Sequence, residues 1–446
     1  LPKTGITVAE MERLTRVRRH VRYALYNMFS SVRAGAAAMF DPSDTGIVDL
    51  SGKISSHGDL WYLPCLMMLK PAAAAGIINA RREALPQAAK LASTYGFRGV
   101  KFPYLETSRG AGGTLLGATS FWDAVAVTRI FNTALAGVHT WNYFRLTSDK
   151  EWLRATGFPI LQGVADFVVS AFELDFSSGK YTLVESIALD GSQGPHNAFA
   201  VDTCLLALKG AIEAAHALGL GTQRAWTTVY FNAKTIFFQS AAPLIKGVIR
   251  LDANYGTREP VRIAEPLAVL TPLYSEVIFP RGKRIQDALV KNLDYYKLAT
   301  EDAGTQDVPL NVALFAMMEG RRAQGDGDRA ADFYDEFDRF IDVTAEPKWG
   351  NLRPYFGDVV RRHEDEVSNN SLNDTSSSAL LLLTLLHVAA GADIVGGVAD
   401  TQFVYDQLRL NVARFRKMPR TWLGLRVDGM GGGKNSVLVT NELRYT

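Results

Sequence analysis

The feature that most constrains the fold of this chain is a succession of long helical patterns with few strand patterns between them. Over residues 11–29, for example, apolar side chains recur at spacings of three and four, as an amphipathic helix requires. Helices that are not separated by strands argue against a parallel α/β fold, and the lack of a fixed sequence period argues against a repeat array. We therefore predict an all-α chain, with helices over residues 11–29, 61–69, 72–95, 121–144, 151–172, 202–218, 222–239, 308–319, 330–340, 375–390 and 400–415.

Strand patterns are confined to two places along the chain. The pattern over residues 261–274 fits either a strand or a loop. Residues 422–427 and 436–443 are predicted to pair as a hairpin that closes the chain. A minor β element is therefore expected at the C-terminus beside the helices.

The composition is typical of a globular protein with a large core, since 47% of the 446 residues are hydrophobic and 21% are charged. The net charge is +2 and the basic residues are scattered, whereas a nucleic-acid-binding surface needs a basic cluster. We therefore predict no nucleic-acid partner and favour a neutral substrate. The most apolar run, residues 379–386, predicts no membrane span, because a spanning helix takes about 20 residues.

The cysteine and histidine contents argue against metal sites and disulfide scaffolds. Only Cys65 and Cys204 are present, and two buried free thiols are favoured over a single bridge. No histidine pair has the spacing of metal ligands, and no Gly-x-Ser-x-Gly nucleophile pattern occurs. We therefore expect no metal and no cofactor. The chain starts at Leu1 without a signal-peptide pattern, which predicts processing or a longer protein.

A first group of candidate site residues lies at a predicted loop-to-helix junction. His57, Asp59 and Trp61 place an imidazole, a carboxylate and an indole within five residues. A carboxylate can hold sugar hydroxyls and an aromatic ring can pack on the apolar side of a sugar ring. The alternative is a capped helix start with a packed tryptophan.

A second group presents Lys101 and Glu106 from a loop built around Pro103. These charges could bind sugar hydroxyls, and the alternative is a surface ion pair. A third segment, residues 185–197, contains Asp190 and Asn197 before a predicted helix. Cleavage of a glycoside needs a protonated carboxyl group near the leaving oxygen, although an aspartate in such a segment can also serve a turn.

A fourth segment, residues 358–373, is rich in carboxylates that could activate a water molecule, and its alternative is a solvated acidic surface. Its candidate bases are Asp358, Glu364 and Glu366. Glycosylation acceptor patterns occur at Asn369 and Asn373, which matter only in a secreted protein. The compartment stays open, with an extracellular location favoured.

Taken in order, these segments resemble the catalytic domain of glycoside hydrolase family 65. Residues 57–64 are similar to the family pattern Trp-Asp-x-acidic-x-Trp-x-x-Pro, and residues 102–108 are similar to its Phe-Pro-Trp-Glu-Ser pattern. Arg81-Arg82-Glu83 and residues 88–92 fit the spacing between them, and Thr147-Ser148-Asp149 resembles a turn of the family. The resemblance extends from about residue 21 to residue 386, and it departs from the family at His57, where the family has Asp.

The resemblance implies an (α/α)6 barrel, a toroid of six helical hairpins. The expected division is an N-terminal extension over residues 1–20, the barrel over 21–418 and a C-terminal β segment over 419–446. The family also implies a β-sandwich before the barrel, and a homodimer is an alternative means of completing the assembly.

The resemblance further implies a glycosidase that inverts an α-linked glucoside or related disaccharide unit. An alignment without gaps at Asn197 places Asp190 near the general acid, and Asp358, Glu364 and Glu366 compete for the role of base. The family's Lys-Gln pair, which grips the glucose ring, falls near Ala264 and Glu265. The predicted sugar contacts are therefore His57, Asp59, Trp61, Lys101, Glu106, Asn197 and Glu265.

Two other functions stay open. A phosphorylase would use inorganic phosphate in place of water, bound by the hydroxyl groups of residues 375–378 at a predicted helix start. A degenerate barrel would bind a glycan or a protein without catalysis, as the substitution at His57 and the loss of the Lys-Gln pair suggest.

Overall fold

The computed structural model describes a predominantly helical chain, as the periodicity predicts. The described residues are 8–30, 53–55, 58–103, 105–107, 128–184, 186–187, 193–195, 197–233, 283–302, 309–325, 330–344, 375–385, 425–427 and 439–441. The predicted helix over 400–415 and the uncertain strand over 261–274 lie outside these residues. No helix in the described ranges is long and apolar enough to cross a membrane.

Most described helices overlap a predicted one, but the helix over Lys283–Asp302 has no counterpart in the prediction, and the helix predicted over residues 222–239 ends at Asn232. The described helices are α1 (Val8–Ser30), α2 (Leu63–Leu69, continuing a π-helical turn over Gly58–Tyr62), α3 (Pro71–Glu83), α4 (Leu85–Thr94), α5 (Ile130–Thr147), α6 (Lys150–Trp152), α7 (Phe158–Ala171, after a π-helical turn over Leu153–Gly157), α8 (Ala198–Ala217), α9 (Arg224–Asn232), α10 (Lys283–Asp302), α11 (Pro309–Gly325), α12 (Ala330–Thr344) and α13 (Thr375–Thr384).

One helix of the prediction is divided into two helices in the structure. The pattern over residues 72–95 reads as a single helix, but α3 ends at Glu83 and α4 begins at Leu85. Pro86 explains the break, because proline has no N–H to donate and its ring clashes with the carbonyl group four residues earlier. The chain therefore changes direction at Ala84 and α4 leaves the axis of α3.

The described strands form short antiparallel pairs. They are β1 (Lys53–Ser55) with β2 (Leu105–Thr107), β3 (Phe172–Asp175) with β4 (Lys180–Leu183), β5 (Ser186–Ile187) with β6 (Gln193–Gly194), and β7 (Leu425–Val427) with β8 (Val439–Asn441). In the last pair, Arg426 lies opposite Thr440. The predicted C-terminal hairpin is therefore confirmed.

Helices α5 and α8 run side by side in the same direction. The rings of Phe131 and Phe199, each in the first turn of its helix, are 5.5 Å apart. Further along, Gly210 packs against Trp141, where a Cβ atom would lie 2.9 Å from the tryptophan side chain. The contacts advance together along both helices, so the N-terminal ends of α5 and α8 are neighbours.

Helix α7 returns antiparallel to α5 and completes a helical hairpin. The turn between them contains Ser148 in a left-handed conformation and Asp149, whose carboxylate accepts a hydrogen bond of 2.9 Å from the backbone N–H of Trp152 and so caps α6. Halfway along the hairpin, Gly137 lies against Val164. This arrangement of two parallel helices, α5 and α8, with an antiparallel helix packed on both, is the local unit from which a helical barrel can be built.

The first helix joins distant parts of the chain. On α1, the Asn27 side-chain amide donates to the Ser378 hydroxyl at 3.3 Å, and Arg16 forms an ion pair with Asp342. The Tyr62 hydroxyl donates to the carbonyl oxygen of Met28 at 3.2 Å. These contacts tie α1 to α12, to α13 and to the π-helical turn before α2.

The predicted state of the cysteines is confirmed. Cys65 and Cys204 are both buried and both free, and burial raises the pKa of each thiol.

Gly99 is the glycine at which packing is most demanding. It has a φ of +68°, and a Cβ atom there would press on the carbonyl oxygen of Gly163 and lie 2.6 Å from the backbone nitrogen of Phe167. We expect Gly99→Ala to lower the free energy of unfolding by about 3 kcal/mol or more, because left-handed strain and a clash with the backbone of α7 add. Urea denaturation followed by circular dichroism measures the change.

Gly96→Ala is the matched control. Gly96 also has a positive φ, +77°, but no atom lies within 4 Å of the position that a Cβ atom would take. Its substitution should cost only the backbone strain of about 1 kcal/mol. Equal losses for the two variants would contradict the close approach of residue 99 to α7.

Candidate active site

The first two predicted site segments are joined by backbone pairing. Strand β1 ends at Ser55, and β2 contains Glu106. In the antiparallel register Ile54 lies opposite Glu106 and Ser55 opposite Leu105. Residues that are about fifty positions apart in the chain are therefore neighbours, and each strand leads directly into or out of a predicted motif.

The second segment lies against the start of α5. The Asn132 side-chain amide donates to the carbonyl oxygen of Pro103 at 2.8 Å, and the backbone N–H of Phe102 donates to the Thr133 hydroxyl at 3.0 Å. Asn132 and Thr133 are in the first turn of α5. The loop that contains Phe102 and Pro103 is thus held at the N-terminal end of this helix.

The third segment reaches the same end of the structure through α8. The Asn197 side-chain oxygen accepts a hydrogen bond of 3.1 Å from the backbone N–H of Ala200 and caps α8. The cap lies beside the first turn of α5, because α5 and α8 are parallel and in register at Phe131 and Phe199. Three segments that were singled out separately in the sequence therefore meet at one end of the helix pair.

Asp59 and Arg81 form a buried ion pair beneath this meeting point. The Arg81 Nη2 atom donates to Asp59 Oδ2 at 2.8 Å, and each side chain is only 1% exposed. Asp59 comes from the π-helical turn before α2, and Arg81 comes from the last turn of α3. The other carboxylate oxygen, Asp59 Oδ1, has no hydrogen-bond partner among the described residues.

His139 of α5 is buried beside this ion pair and is uncharged at neutral pH. Burial lowers its pKa to about 4, although the nearby Asp59 carboxylate acts in the opposite direction. The positive charge of Arg81 adds to the lowering. Because His139 is uncharged at neutral pH, it adds no charge to the Asp59–Arg81 ion pair.

Lys101 lies in the core between aromatic rings. Its side chain is 1% exposed, so the alternative of a surface ion pair is wrong. The Nζ atom is 5.1 Å from the centroid of the Phe167 ring and 5.7 Å from that of Phe97, and it has no hydrogen-bond partner in the described part of the chain. Burial lowers the pKa of Lys101 to about 7. Its predicted contact with a sugar has no support in these neighbours.

Trp61 is buried with Asp59 in the same π-helical turn. It is 2% exposed, and its indole N–H has no acceptor within the described ranges. Turns of this wider kind are frequent at functional sites, because they shift a side chain out of helical register. A buried indole N–H costs free energy unless it has an acceptor.

Several predicted site residues are not described by the structure. Strand β2 gives the backbone position of Glu106 but not its side chain. The proposed acid, the candidate bases and two sugar contacts, Asp190, Asp358, Glu364, Glu366, His57 and Glu265, lie outside the described residues. Their roles stay predictions.

Arg81, His139 and Asp202 are not among the predicted site residues, although the sequence around each contains a signal. The buried positions of α3 are Ala73, Ala74, Ile77, Ile78 and Arg81, so Arg81 occupies the apolar face of its own helix. His139 and Asp202 are ionisable residues at buried positions of α5 and α8, where most of the other buried residues are apolar. Burial raises the pKa of Asp202 well above its usual range, so this carboxyl group favours the protonated form.

Metal binding finds no support in the residues that are described. They contain no group of three or more His, Cys, Asp or Glu side chains that could hold an ion. Two basic side chains near the candidate site are those of Arg81 and Lys101.

Comparison with protein families gives one match that covers just over half of the chain. Residues 22–255 match the glycosyl hydrolase family 65 central catalytic domain. This range includes the three segments that meet at the ends of α5 and α8.

Comparison with curated proteins finds two long matches. A kojibiose hydrolase of Mucilaginibacter mallensis is 28% identical over 426 residues, and one of Flavobacterium johnsoniae is 23% identical over 432 residues. Each match covers 94% of this chain and 55% of the relative. The chain therefore spans about half the length of these curated relatives. A protein-glucosylgalactosylhydroxylysine glucosidase of Dictyostelium discoideum is 25% identical over 184 residues, 40% of this chain and 25% of that protein.

Solved structures share the fold at low sequence identity. A putative kojibiose phosphorylase from the human microbiome superposes with a TM-score of 0.60 at 14% identity, over 84% of this chain and 52% of that chain. A wild-type glycosidase superposes with a TM-score of 0.54 at 14% identity, over 91% of this chain and all of that one. At these identities the likeness concerns the fold alone.

The buried His139 makes stability depend on pH. Its pKa is about 4 in the folded state and 6.5 in an unstructured peptide, so the unfolded chain binds more protons between these values. We expect this residue to remove roughly 3 kcal/mol of folding free energy as the pH falls from 6.5 to 4. Urea denaturation at pH 7 and pH 4.5 measures the loss, which His139→Gln should reduce. The exposed His216 is the control, and His216→Gln should leave the pH dependence as it is in the wild type.

The buried Lys101 is expected to destabilise the fold at neutral pH. Replacement by Met, which keeps an apolar chain of similar length, should raise the free energy of unfolding by about 1–4 kcal/mol at pH 7. Between pH 7 and 10.5 the unfolded wild type still binds the Lys101 proton that the folded protein has lost, so the wild type becomes more stable as the pH rises. The gain from the substitution should therefore shrink towards pH 10.5. Lys90, which is exposed on α4, is the control, and Lys90→Met should change stability little at any pH. A loss of stability in Lys101→Met would show that this ammonium has a charged partner.

Proposed function

Because the chain belongs to the family of glycosyl hydrolase family 65 central catalytic domains, we propose that it cleaves an α-linked glucoside by inverting hydrolysis. The proposed substrate is a disaccharide unit such as kojibiose, in keeping with the names of the two long matches. The activity of the whole protein is part of the proposal, because the chain spans about half the length of these relatives.

One observation carries this proposal. The segments with a carboxylate, an aromatic ring and polar amides are brought together at the N-terminal ends of α5 and α8, through the β1–β2 pair and the contacts of Asn132 and Asn197. Sugar sites need this combination of carboxylate and aromatic groups.

The proposed chemistry uses two carboxyl groups on opposite sides of the glycosidic bond. Asp190, as the general acid, donates its proton to the leaving oxygen while the bond to the anomeric carbon breaks. A carboxylate among Asp358, Glu364 and Glu366 takes a proton from water, whose oxygen bonds to the anomeric carbon from the other side. An α-glucoside then gives a β-configured product, and the two carboxyl groups must be roughly 6.5–9.5 Å apart to admit the water.

The sugar contacts of the proposal are divided between described and undescribed side chains. Asp59 and Trp61, in the π-helical turn before α2, would bind hydroxyl groups and the apolar side of the ring. Asn197 also caps α8, so its side-chain oxygen is occupied by the helix. Contacts with a sugar by His57, Glu106 and Glu265 remain part of the proposal on the resemblance alone.

The proposed architecture is an (α/α)6 barrel over residues 21–418 with the C-terminal β segment beside it. The parallel α5 and α8, with the antiparallel α7 packed on both, support it as the repeating unit of such a barrel. A β-sandwich elsewhere in a longer protein, or a homodimer, would complete the assembly.

Phosphorolysis is the second candidate function. Helix α13 begins at Thr375 with four hydroxyl-bearing residues, 375–378, in its first turn. The start of a helix favours an anion, because free backbone N–H groups and the helix dipole point towards it. Inorganic phosphate could therefore replace water as the nucleophile, and the product would be β-glucose 1-phosphate.

The products of kojibiose distinguish the two functions. We expect free glucose in buffer without phosphate, with the β anomer in excess at early times in the proton NMR spectrum. Asp190→Asn should lower kcat by about 100- to 10,000-fold, the usual contribution of a general acid. The exposed Asp332 of α12 is the matched control, and Asp332→Asn should retain full activity. Glucose 1-phosphate formed only when phosphate is present would favour phosphorolysis, and unchanged activity in Asp190→Asn would exclude Asp190 as the acid.

A further inference from the structure

Arg81 connects two of the segments that meet at the proposed site. Its guanidinium group donates to Asp59 Oδ2 at 2.8 Å, and the same group lies over the ring of Phe102, with 5.6 Å between Cζ and the ring centroid. Asp59 belongs to the first predicted motif and Phe102 to the second. A single side chain, from a helix between them in the sequence, therefore contacts both.

The orientation of the guanidinium group is set from two directions. Phe102 is anchored to α5, because its backbone N–H donates to the Thr133 hydroxyl at 3.0 Å and the next carbonyl group, that of Pro103, accepts from Asn132 at 2.8 Å. The ring of Phe102 thus offers a fixed face on which the planar guanidinium packs. With one face on the ring and one nitrogen on the carboxylate, Arg81 has little freedom to rotate.

The Asp59–Arg81 ion pair contributes little to the net free energy of folding. Both side chains are 1% exposed, and burying two charges costs free energy that their mutual attraction roughly offsets. Apolar residues of the same volume would pack there at least as well. A buried pair in which one carboxylate oxygen has no partner among the described residues is explained more directly by a need to hold that oxygen in place.

We propose that Arg81 is a positioning residue, which binds Asp59 Oδ2 and so directs Asp59 Oδ1 towards a hydroxyl group of the bound glucosyl unit. This inference rests on the proposed function, since it assumes that a sugar occupies the site. Arg81 itself does not contact the sugar. Arg81 affects sugar binding only by orienting the Asp59 carboxylate, and the Phe102 ring fixes the plane of the Arg81 guanidinium group.

Equilibrium binding of glucose, measured by isothermal titration calorimetry, tests the inference without requiring turnover. Asp59→Asn should weaken binding by about 10- to 100-fold, the usual effect of losing a hydrogen bond to a charged group. Arg81→Lys retains the charge but loses the planar group, and it should weaken binding by about tenfold. Arg81→Met should match Asp59→Asn. Circular dichroism establishes that each variant is folded.

The neighbouring Arg82 is the matched control. It is half-buried on the same helix and donates to the carbonyl oxygen of Ala155 at 3.2 Å, away from Asp59. Arg82→Met should leave glucose affinity unchanged within about twofold. Kinetics with kojibiose should show the Arg81→Lys effect mainly in KM, because the lost contact is present in the ground state as well as the transition state.

The double variant Asp59→Asn/Arg81→Met shows whether Arg81 acts through Asp59. If it does, the double variant binds glucose no more weakly than Asp59→Asn alone. Additive losses would overturn the inference, as would unchanged affinity in Arg81→Lys or in Asp59→Asn. The double variant also remains informative if Arg81→Met fails to fold, because it leaves no unpaired buried charge.

These outcomes separate the inference from the proposed function. Wild-type protein that binds glucose but cleaves no α-glucoside would refute the proposed hydrolysis, and the variants would still decide the role of Arg81. Wild-type protein that cleaves kojibiose and is insensitive to Arg81→Lys would refute the inference alone. Failure of the wild-type protein both to bind glucose and to cleave kojibiose would overturn both.

Discussion

The buried ion pair between Asp59 and Arg81 is the interaction on which the rest of the site depends. It joins the turn before α2 to the end of α3, and through the Phe102 ring it reaches the loop held by α5. Charges taken out of water tolerate little change in geometry, because an ion that loses its partner there costs several kcal/mol. The pair therefore constrains three segments of backbone at once, although it adds little to the net stability of the fold.

The helices supply the frame for this pair. Helix α5 is buried along most of its length, so it must be covered by neighbours on several sides. Gly137 lets α7 approach closely, and Gly210 lets α8 do so. These close approaches set α5 and α8 in register and bring their N-terminal ends together. Polar side chains in the first turn of α5 then hold the loop of Phe102 and Pro103.

Three buried titratable groups among these helices have pKa values that are shifted towards the neutral form. Burial lowers the pKa of His139 and of Lys101 and raises that of Asp202, in each case towards the neutral form. Asp59 differs from them because a guanidinium group lies beside it. Near the proposed site, the described interior thus combines the Asp59–Arg81 ion pair with groups whose pKa burial moves towards the neutral form.

Local patterns in the sequence predict where most helices lie, the C-terminal hairpin and the order of the motif segments, but they missed the break between α3 and α4. The predicted features follow from local periodicity and from residues a few positions apart. The sequence also marked Arg81 as a charge on the apolar face of α3, between Ile77 and Ile78 and the end of the helix. Only the tertiary structure decided that the partner of Arg81 is Asp59, 22 positions earlier, and that Lys101 faces aromatic rings instead of a carboxylate. The physical reason is that an ion pair or a ring contact depends on how separate helices pack, and local periodicity contains no information about which faces meet.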